Sequence, residues 1–383
     1  MKKVTIFGST GSVGKSALDV VRASGGALVV EGLCACRDTK TLQAQVREFS
    51  PARVCVVDAQ AARAFRAGRR GMTVFRGPEG LDEFALGKTD IAVMAISGIS
   101  ALKPLLSVIP HARRVALVNK ESIVAGGSFV FARARTYGTQ ILPVDSEINA
   151  LFQLFKAHER RGNGFDRVYI TASGGALFGY SRARLQKVTV RDVLAHPTWN
   201  MGARITVDSA TLVNKAFEVI ETHHFFNVAY SKIGVVIHRK SQIHAFVEFC
   251  DKTIMACMYP ADMRIPIAFA LHYPRRVENS RGIDFSRSFS FDCAPFAQKQ
   301  FPLFELVMNA AARRDNGLVV LNAADEKAIE YFLKNKIGFT DIGKVMEYMG
   351  EHYPSTALAG IEDVFYWNEW ASSKAEEYIQ TLC

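Results

Sequence analysis

Lys3-Val4-Thr5-Ile6-Phe7-Gly8-Ser9-Thr10-Gly11-Ser12-Val13-Gly14-Lys15-Ser16-Ala17-Leu18 is the stretch that decides the fold. An apolar run, Val4 to Phe7, meets a glycine turn spaced G-x-x-G-x-x-G, and a helical pattern follows over Val13–Ala23. In that context the glycines make a tight turn and let a pyrophosphate approach a helix N-terminus. Taken by themselves they equally describe an ordinary glycine turn. Outward from this point the pattern repeats, with strands expected at Val4–Gly8, Leu28–Ala35, Arg53–Val57, Ile91–Ala95, Val115–Val118 and Ile141–Val144, and a second helix at Thr39–Phe49. Strands alternating with helices require a parallel, doubly wound sheet, so the fold class is α/β with a Rossmann-like N-terminal domain over 1–149.

The pattern then changes. Val168–Thr171 leads into a polar, glycine-containing loop from Ala176 to Gly202, followed by one strong helix. The runs Gly234–His238, Ile243–Phe249 and Thr253–Met258 read as an antiparallel meander, which makes 150–272 a central α+β catalytic domain with a lid loop. Pro274, Pro295 and Pro302 mark 273–302 as a connecting arm. Helical spacing over Leu303–Arg313, Ala323–Lys334, Asp341–Met349 and Ile361–Thr381 makes 303–383 a C-terminal helical bundle.

Bulk properties narrow the function. A chain of 383 residues, 49% apolar, can bury a large core. The apolar run after Lys2 and Lys3 stops at Gly8, short of the roughly seven residues a signal peptide needs, and no stretch approaches the ~18 apolar residues of a membrane span. The cytoplasm is the expected location. Seven cysteines, with Cys34, Cys55, Cys250 and Cys257 in apolar runs, suit reduced core thiols, and the C-x-C of Cys34 and Cys36 lacks the second pair a zinc site requires. The formal charge of +10 is dispersed over pairs such as Arg69-Arg70, Arg113-Arg114 and Arg160-Arg161, which favours neither nucleic acid nor a membrane as partner.

Candidate chemistry falls at strand ends and on one helix. At the end of the second strand, Ala35-Cys36-Arg37-Asp38 places a basic residue where the extra phosphate of NADPH is held, while Asp38 would suit the ribose of NAD. Asn119-Lys120-Glu121-Ser122 follows Val115–Val118 at the edge where such sheets bind ligands, with Asn119 toward a cofactor and Lys120 toward a substrate oxygen. Asp145-Ser146-Glu147 sets two carboxylates on one side of an extended segment, suitable for a hard divalent ion, though a helix cap is the plainer reading. In a helix beginning near Asp208-Ser209, residues Thr211, Asn214, Lys215, Glu218 and Glu221 share a polar face opposite Leu212, Val213, Phe217 and Ile220. That face is either solvated or a phosphate and metal surface, with Ser209 at the helix start where anions are favoured. Ser173-Gly174-Gly175 supplies hydroxyl and backbone donors for a phosphate. His196-Pro197-Thr198-Trp199-Asn200-Met201-Gly202 either forms a lid over substrate or anchors its loop to the core.

Gly8–Gly14, Asn119–Ser122, Leu142–Asn149, Thr171–Gly175 and His196–Glu221 together closely resemble the 1-deoxy-D-xylulose 5-phosphate reductoisomerase family, and Ile237–His244, Asp262-Met263-Arg264 and Leu321-Asn322-Ala323-Ala324 extend the likeness along nearly the whole chain. The resemblance implies NADPH on Thr10, Gly11, Ser12 and Val13, with Arg37 near the adenosine phosphate and Asn119, Glu121 and Gly202 along the cofactor. It implies Mg²⁺ or Mn²⁺ on Asp145, Glu147 and Glu218. Ser173, Ser209, Asn214 and Lys215 would grip the substrate phosphate, and Lys120, Ser146 and His196 the sugar chain, beneath a lid with Trp199 and Met201. Ser241 and Met263 also fall on motif positions. The implied reaction rearranges 1-deoxyxylulose 5-phosphate to an aldehyde and then reduces it to 2-C-methylerythritol 4-phosphate in the non-mevalonate isoprenoid route, with the metal as Lewis acid. A homodimer is implied too. Cys36, where glycine is usual, and Asp38, where a neutral polar residue is common, depart from the family pattern. The alternatives weighed against this reading are a metal-assisted NADP-dependent dehydrogenase of a phosphorylated polyol, and a nucleotide-sensing or nucleic-acid-binding protein that kept a Rossmann domain.

Overall fold

A computed structural model describes residues 1–66, 71–158, 164–199, 201–278, 282–286 and 290–383. The pairs Arg69-Arg70 and Arg160-Arg161, and Asn200 of the loop motif, lie outside the described residues. The strands are β1 (Lys2–Phe7), β2 (Leu28–Ala35), β3 (Arg53–Val56), β4 (Thr73–Arg76), β5 (Thr89–Met94), β6 (Ala112–Leu117), β7 (Gln140–Pro143), β8 (Phe165–Ala172), β9 (Ile233–Ile237), β10 (Ile243–Phe249), β11 (Ile254–Met258) and β12 (Ala294–Pro295). The helices of the first half are α1 (Ser12–Ala23), α2 (Thr39–Phe49), α3 (Ala59–Ala64), α4 (Gly77–Ala85), α5 (Leu102–Val108), α6 (Glu121–Tyr137) and α7 (Ser146–His158). Then come α8 (Arg182–Leu185), α9 (Val190–Leu194), α10 (Ala203–Thr211), α11 (Val213–Phe226), α12 (Arg264–His272), α13 (Pro302–Arg313), α14 (Gly317–Leu333), α15 (Phe339–Glu351) and α16 (Ile361–Gln380).

The chain forms two compact units. The first, Met1–Ser122, Val130–Asn149 and Asp262–Arg281, is built on a seven-stranded sheet ordered β4-β3-β2-β1-β5-β6-β7. Every described pairing in it is parallel. Its central strands are apolar on both faces, as Val4, Ile6, Phe7, Val93 and Met94 show by complete burial. Strand order reverses between β1 and β5, and there the backbones after both strands meet, with Ala95 N–H donating to the Phe7 carbonyl at 2.9 Å. A crevice outside the carboxyl ends of strands at such a switch point is where open α/β sheets hold ligands. Gly8 sits in it at φ +84°, where an added Cβ would come within 2.5 Å of the Ala95 carbonyl oxygen. β4 carries no sequence signal because this four-residue edge strand buries none of its side chains.

The second unit, Ile123–Phe129, Ala150–Ala261 and Gly282–Cys383, contains a mixed sheet ordered β11-β10-β8-β9-β12. The expected meander is not formed. β8 lies between β9 and β10, parallel to β9 and antiparallel to β10, and only the β10–β11 hairpin survives of that reading. The reason is topological: adjacent apolar runs do not reveal an earlier strand inserted between them.

The units also depart from the four segments expected from sequence. α12 packs against α1 in the first unit, where Arg114 donates to the Ala270 carbonyl at 3.1 Å. The expected arm provides β12, which pairs with β9. In the second unit α13 packs on α11 and α14 on α10. Cys34 and Cys55 are buried as expected, whereas Cys250 is exposed and Cys257 half-buried.

Two consequences can be measured. A Cβ at Gly14 would stand 2.2 Å from the Gly8 carbonyl oxygen, so α1 has to draw back from the turn. Gly14→Ala is expected to cost about 2 kcal/mol in urea unfolding; a change within about 0.5 kcal/mol would mean the turn tolerates the displacement. Within the second unit the His224 ring packs against Gly127, and burial, helped by the charge of His223, pushes its pKa down to about 4. A depressed histidine favours the folded state above the unfolded pKa near 6.5, and that contribution is lost as pH falls through about 4. It amounts to at most ~3 kcal/mol. Unfolding curves of wild type and His224→Gln between pH 7 and pH 4 should show the wild type losing stability relative to the variant on acidification; a constant difference would contradict it.

Candidate active site

In the first unit the glycine turn opens α1 at Gly11, which caps the helix without a side-chain hydrogen bond and leaves its first amides for a ligand. The three glycines differ in what they do. Gly8 and Gly14 have no room for a side chain, while a Cβ at Gly11 would meet only the Gly8 carbonyl oxygen, at 3.4 Å. Gly11 and Ser12 are exposed, and Thr10 and Val13 half-buried. Beneath them the buried Ser9 hydroxyl donates to Gln45 Oε1 at 2.8 Å, tying the turn to α2. Arg37 is exposed and pairs with Asp58 at 3.0 Å. Asp38 caps α2, accepting from the Thr41 amide at 3.0 Å, and the Thr41 hydroxyl, with that amide second, holds its carboxyl below the usual range. The residue that spoke for NAD in the sequence is thus occupied as a helix cap.

Asn119 and Glu121 brace the loop after β5. Asn119 Nδ2 donates to the Gly98 carbonyl at 2.9 Å and to Glu121 Oε2 at 2.8 Å, while Glu121 Oε1 accepts from the Gly98 amide at 3.0 Å. The loop Ala95–Gly98 therefore belongs to the switch-point cleft, a part that the sequence signalled only by a Ser-Gly pair after an apolar strand. Lys120 and Asp145, both almost fully buried, form an ion pair at 2.7 Å. Asp145 Oδ1 accepts from the Glu147 amide at 3.2 Å, so Asp145 begins α7 and Glu147 lies in its first turn. The extended segment expected here is a helix start, and Ser146 donates to the Glu147 carboxylate.

In the second unit the polar face expected on one helix is split across two. α10 ends at Thr211, Leu212 takes a left-handed φ of 63°, and α11 begins at Val213. Ser209 is consequently in the last turn of α10, not at a helix start. The face itself is buried, not solvated: Lys215 is 5% exposed, Glu218 2% and Glu221 0%. Lys215 Nζ donates to the Thr171 carbonyl at 2.5 Å and to Glu218, and Asn214 Nδ2 donates to Glu218 Oε1 at 2.6 Å. Asn214 Oδ1 is buried with no donor among the described residues.

Ser173, Gly174 and Gly175 end β8 in a turn with both glycines at positive φ, and a Cβ at Gly175 would stand 2.5 Å from the Ser209 carbonyl oxygen. Ser173 Oγ accepts from the Gly175 amide at 3.2 Å and lies 3.0 Å from His196 Nε2. His196 Nδ1 accepts from the amides of Thr198 at 3.2 Å and Trp199 at 3.0 Å. With Nδ1 an acceptor, the neutral ring carries its proton on Nε2 and donates to Ser173, whose own hydroxyl proton is then free for a ligand. Burial, with the charge of Arg239 adding to it, lowers the His196 pKa and keeps it neutral at pH 7. Arg239 was not anticipated; it donates to the Ser173 carbonyl at 3.0 Å, and only a basic pair in the turn after β9 marks it.

Trp199 is half-buried 6.3 Å from the His244 ring, which stacks on Tyr259 at 3.9 Å. The loop is thus anchored through its tryptophan. Met201 is half-buried, Gly202 is the exposed N-cap of α10, Ser241 is buried with its hydroxyl 3.4 Å from that of Thr198, and Met263 precedes α12 in the first unit.

A glycine turn opening a helix at the switch point of a parallel sheet is the mark of the dinucleotide-fold oxidoreductase class. Profiles of 1-deoxy-D-xylulose 5-phosphate reductoisomerase match residues 4–127, and those of its C-terminal domains match 141–226 and 258–374. The 1-deoxy-D-xylulose 5-phosphate reductoisomerase of Moorella thermoacetica is 40% identical over 379 residues, 98% of this chain and 97% of the relative. That of Chlorobium chlorochromatii is 37% identical over 383 residues, 99% and 100% of the two chains. The solved enzyme from Zymomonas mobilis in complex with NADPH is similar at a TM-score of 0.90 and 34% identity, covering all of both chains. A DOX-P reductoisomerase in complex with NADPH, fosmidomycin and magnesium is similar at 0.92 and 31% identity, over 100% and 99% of the chains. The chain belongs to the 1-deoxy-D-xylulose 5-phosphate reductoisomerase family.

The hydrogen bonds of His196 set its tautomer, which ¹⁵N imidazole NMR reads directly. The expected spectrum has the proton on Nε2 at pH 7 and a titration midpoint below 6.5. A ring protonated on Nδ1, or a midpoint above 6.5, would overturn the assignment.

Proposed function

We propose that this enzyme converts 1-deoxy-D-xylulose 5-phosphate to 2-C-methyl-D-erythritol 4-phosphate with NADPH and Mg²⁺ or Mn²⁺, within non-mevalonate isoprenoid biosynthesis. The observation that carries the reading is the buried Asn214-Lys215-Glu218 cluster, fully formed in a chain that aligns end to end with reductoisomerases. The buried Lys215 cation suits a phosphate, and a buried carboxylate suits a metal.

We assign the metal to Asp145 and Glu147 of the first unit and Glu218 of the second, whose carboxylate oxygens would suit Mg²⁺ and Mn²⁺ alike. Thr10, Gly11, Ser12 and Val13 would receive the NADPH pyrophosphate on the uncapped start of α1, and exposed Arg37 the adenosine phosphate. Asp38, held as a cap, would border that site without reading the ribose. Asn119 and Glu121 would fix the loop edge along the cofactor, with Gly202 beside it. When bound, the ion supplies Lewis acidity for the rearrangement and NADPH supplies the hydride.

The protein's own groups bind and orient. Ser173 and Ser209 would donate to phosphate oxygens, with Asn214 and Lys215 completing the grip. Binding energy gathered there, away from the reacting carbons, is available to orient them. Lys120 Nζ and the Ser146 hydroxyl would meet substrate oxygens, and neutral His196 would steady Ser173 through Nε2. Trp199 and Met201 would exclude water above the sugar. Ser241 and Met263 would border the same region.

The reading includes a homodimer and a cytoplasmic location. For the first, β11 ends its sheet and exposes Ile254 (60%) and Met255 (41%). No described helix is long and apolar enough to cross a membrane.

The test follows NADPH absorbance with 1-deoxyxylulose 5-phosphate, with and without a chelator, for wild type and Glu218→Gln. Turnover is expected only with Mg²⁺ or Mn²⁺, and the variant should lose about 10³-fold in kcat/KM. Folded wild type inert with both ions would remove the substrate assignment; a fully active variant would remove Glu218 from the metal site.

A further inference from the structure

α10 starts directly after the lid residues and carries Ser209 in its last turn, so whatever fixes α10 fixes one wall of the phosphate cradle. Its second residue, Arg204, is largely buried, with a side chain 14% exposed. The guanidinium spreads over four side chains. Nη1 pairs with Glu326 at 2.9 Å, Nη2 donates to Asn322 Oδ1 at 3.2 Å and lies 3.6 Å from Asp325, and Nε lies 3.7 Å from Asp208 one turn along α10. Asn322, Asp325 and Glu326 are successive positions on one face of α14, and the first two are fully buried. α14 in turn packs on α13, α15 and α16.

We propose that Arg204 is a positioning residue for the phosphate cradle: its planar fork clasps α10 to α14 and so sets where Ser209 stands against Gly175. The argument is geometric. Gly175 is pressed on the Ser209 carbonyl too closely for any Cβ, so a shift of α10 along α14 cannot be absorbed at the turn and moves Ser209 relative to Ser173. Only a guanidinium reaches these partners in several directions at once; a lysine supplies the charge at a single point. The clasp also anchors the C-terminal end of the loop carrying His196 and Trp199. The inference rests on the phosphate role given to Ser173 and Ser209 under the proposed function.

Arg204→Lys separates positioning from charge balance, because it keeps a cation among the carboxylates, and Arg204→Met removes both. Three readouts apply to the full-length enzyme: melting temperature, KM for 1-deoxyxylulose 5-phosphate against KM for NADPH, and tryptic cleavage at the exposed Arg182, Lys187 and Arg191. The expected result for Arg204→Lys is a near wild-type melt with a substrate KM raised about tenfold, an NADPH KM within about twofold, and faster loop cleavage. Arg204→Met should show the same pattern more strongly, with a lowered melt. If Arg204→Lys matches wild type in substrate KM and cleavage, or both KM values rise together, the clasp is charge compensation only and the proposal fails. Should wild type itself fail to turn over the substrate, the functional reading falls, while loop cleavage in Arg204→Lys with and without inorganic phosphate still decides the clasp: faster cleavage in the variant upholds it, and equal cleavage overturns it.

Discussion

An ammonium withdrawn from water has to be balanced where it stands, and Lys215 meets that demand with the Thr171 carbonyl on one side and Glu218 on the other. The arrangement joins the end of β8 to the first turns of α11. Because β8 runs at the centre of its sheet, bonded to β9 and β10, α11 inherits the rigidity of that sheet. Asn214 completes the cluster by giving its amide N–H to Glu218. Lys215 and Glu218 are thus each held by two bonds, so the cluster is fixed in place before any ligand arrives. Rigid support is what preorganised recognition of a phosphate requires.

The same division of labour runs through the nucleotide cleft. Gly8 and Gly14 are excluded from bearing side chains by backbone atoms at 2.5 and 2.2 Å, while a Cβ at Gly11 would meet only the Gly8 carbonyl oxygen at 3.4 Å. Ser9 is buried to hold α2 through Gln45, whereas Thr10 and Ser12, its neighbours, remain accessible. Asn119 and Glu121 hydrogen-bond to the loop Ile96–Gly98 and hold it in place. A motif read as a row of ligand contacts is thus, in three dimensions, an alternation of contacts and supports.

How much of this was legible depends on the range of the signal. β2 and α2 occupy the residues the pattern assigned, because burial on a strand and the cap at Asp38 are local events. Asp38 also shows the limit: its role as a cap competes with its role as a ribose acceptor, and the side chain alone does not say which. β4, short and half-exposed, had no alternation to read. The meander failed because strand order is a long-range property, with β8 separated from β9 by about sixty residues of loop and helix. Ser209 was placed at a helix start because apolar spacing runs unbroken across Leu212, where the backbone turns left-handed. The carboxylates and the lysine were identifiable by type and position, but their burial, and hence their electrostatic weight, was not.

That burial is where the fold departs from what stability alone would select. A helix placed as α11 is would pack more favourably with leucine or methionine at 215 and 218 than with a buried ion pair, since desolvation takes back most of the attraction. Instead Lys215, Glu218, Glu221 and Thr222 all lie inside, and apolar Val213, Phe217 and Ile220 supply the packing on the other side. The surrounding structure makes this tolerable: α13 covers α11, and α14, reached through Arg204, fixes the helix before it. The C-terminal helices then support α11 mechanically, because without them its buried charges would open to water and lose the low-dielectric setting that strengthens every electrostatic interaction they make.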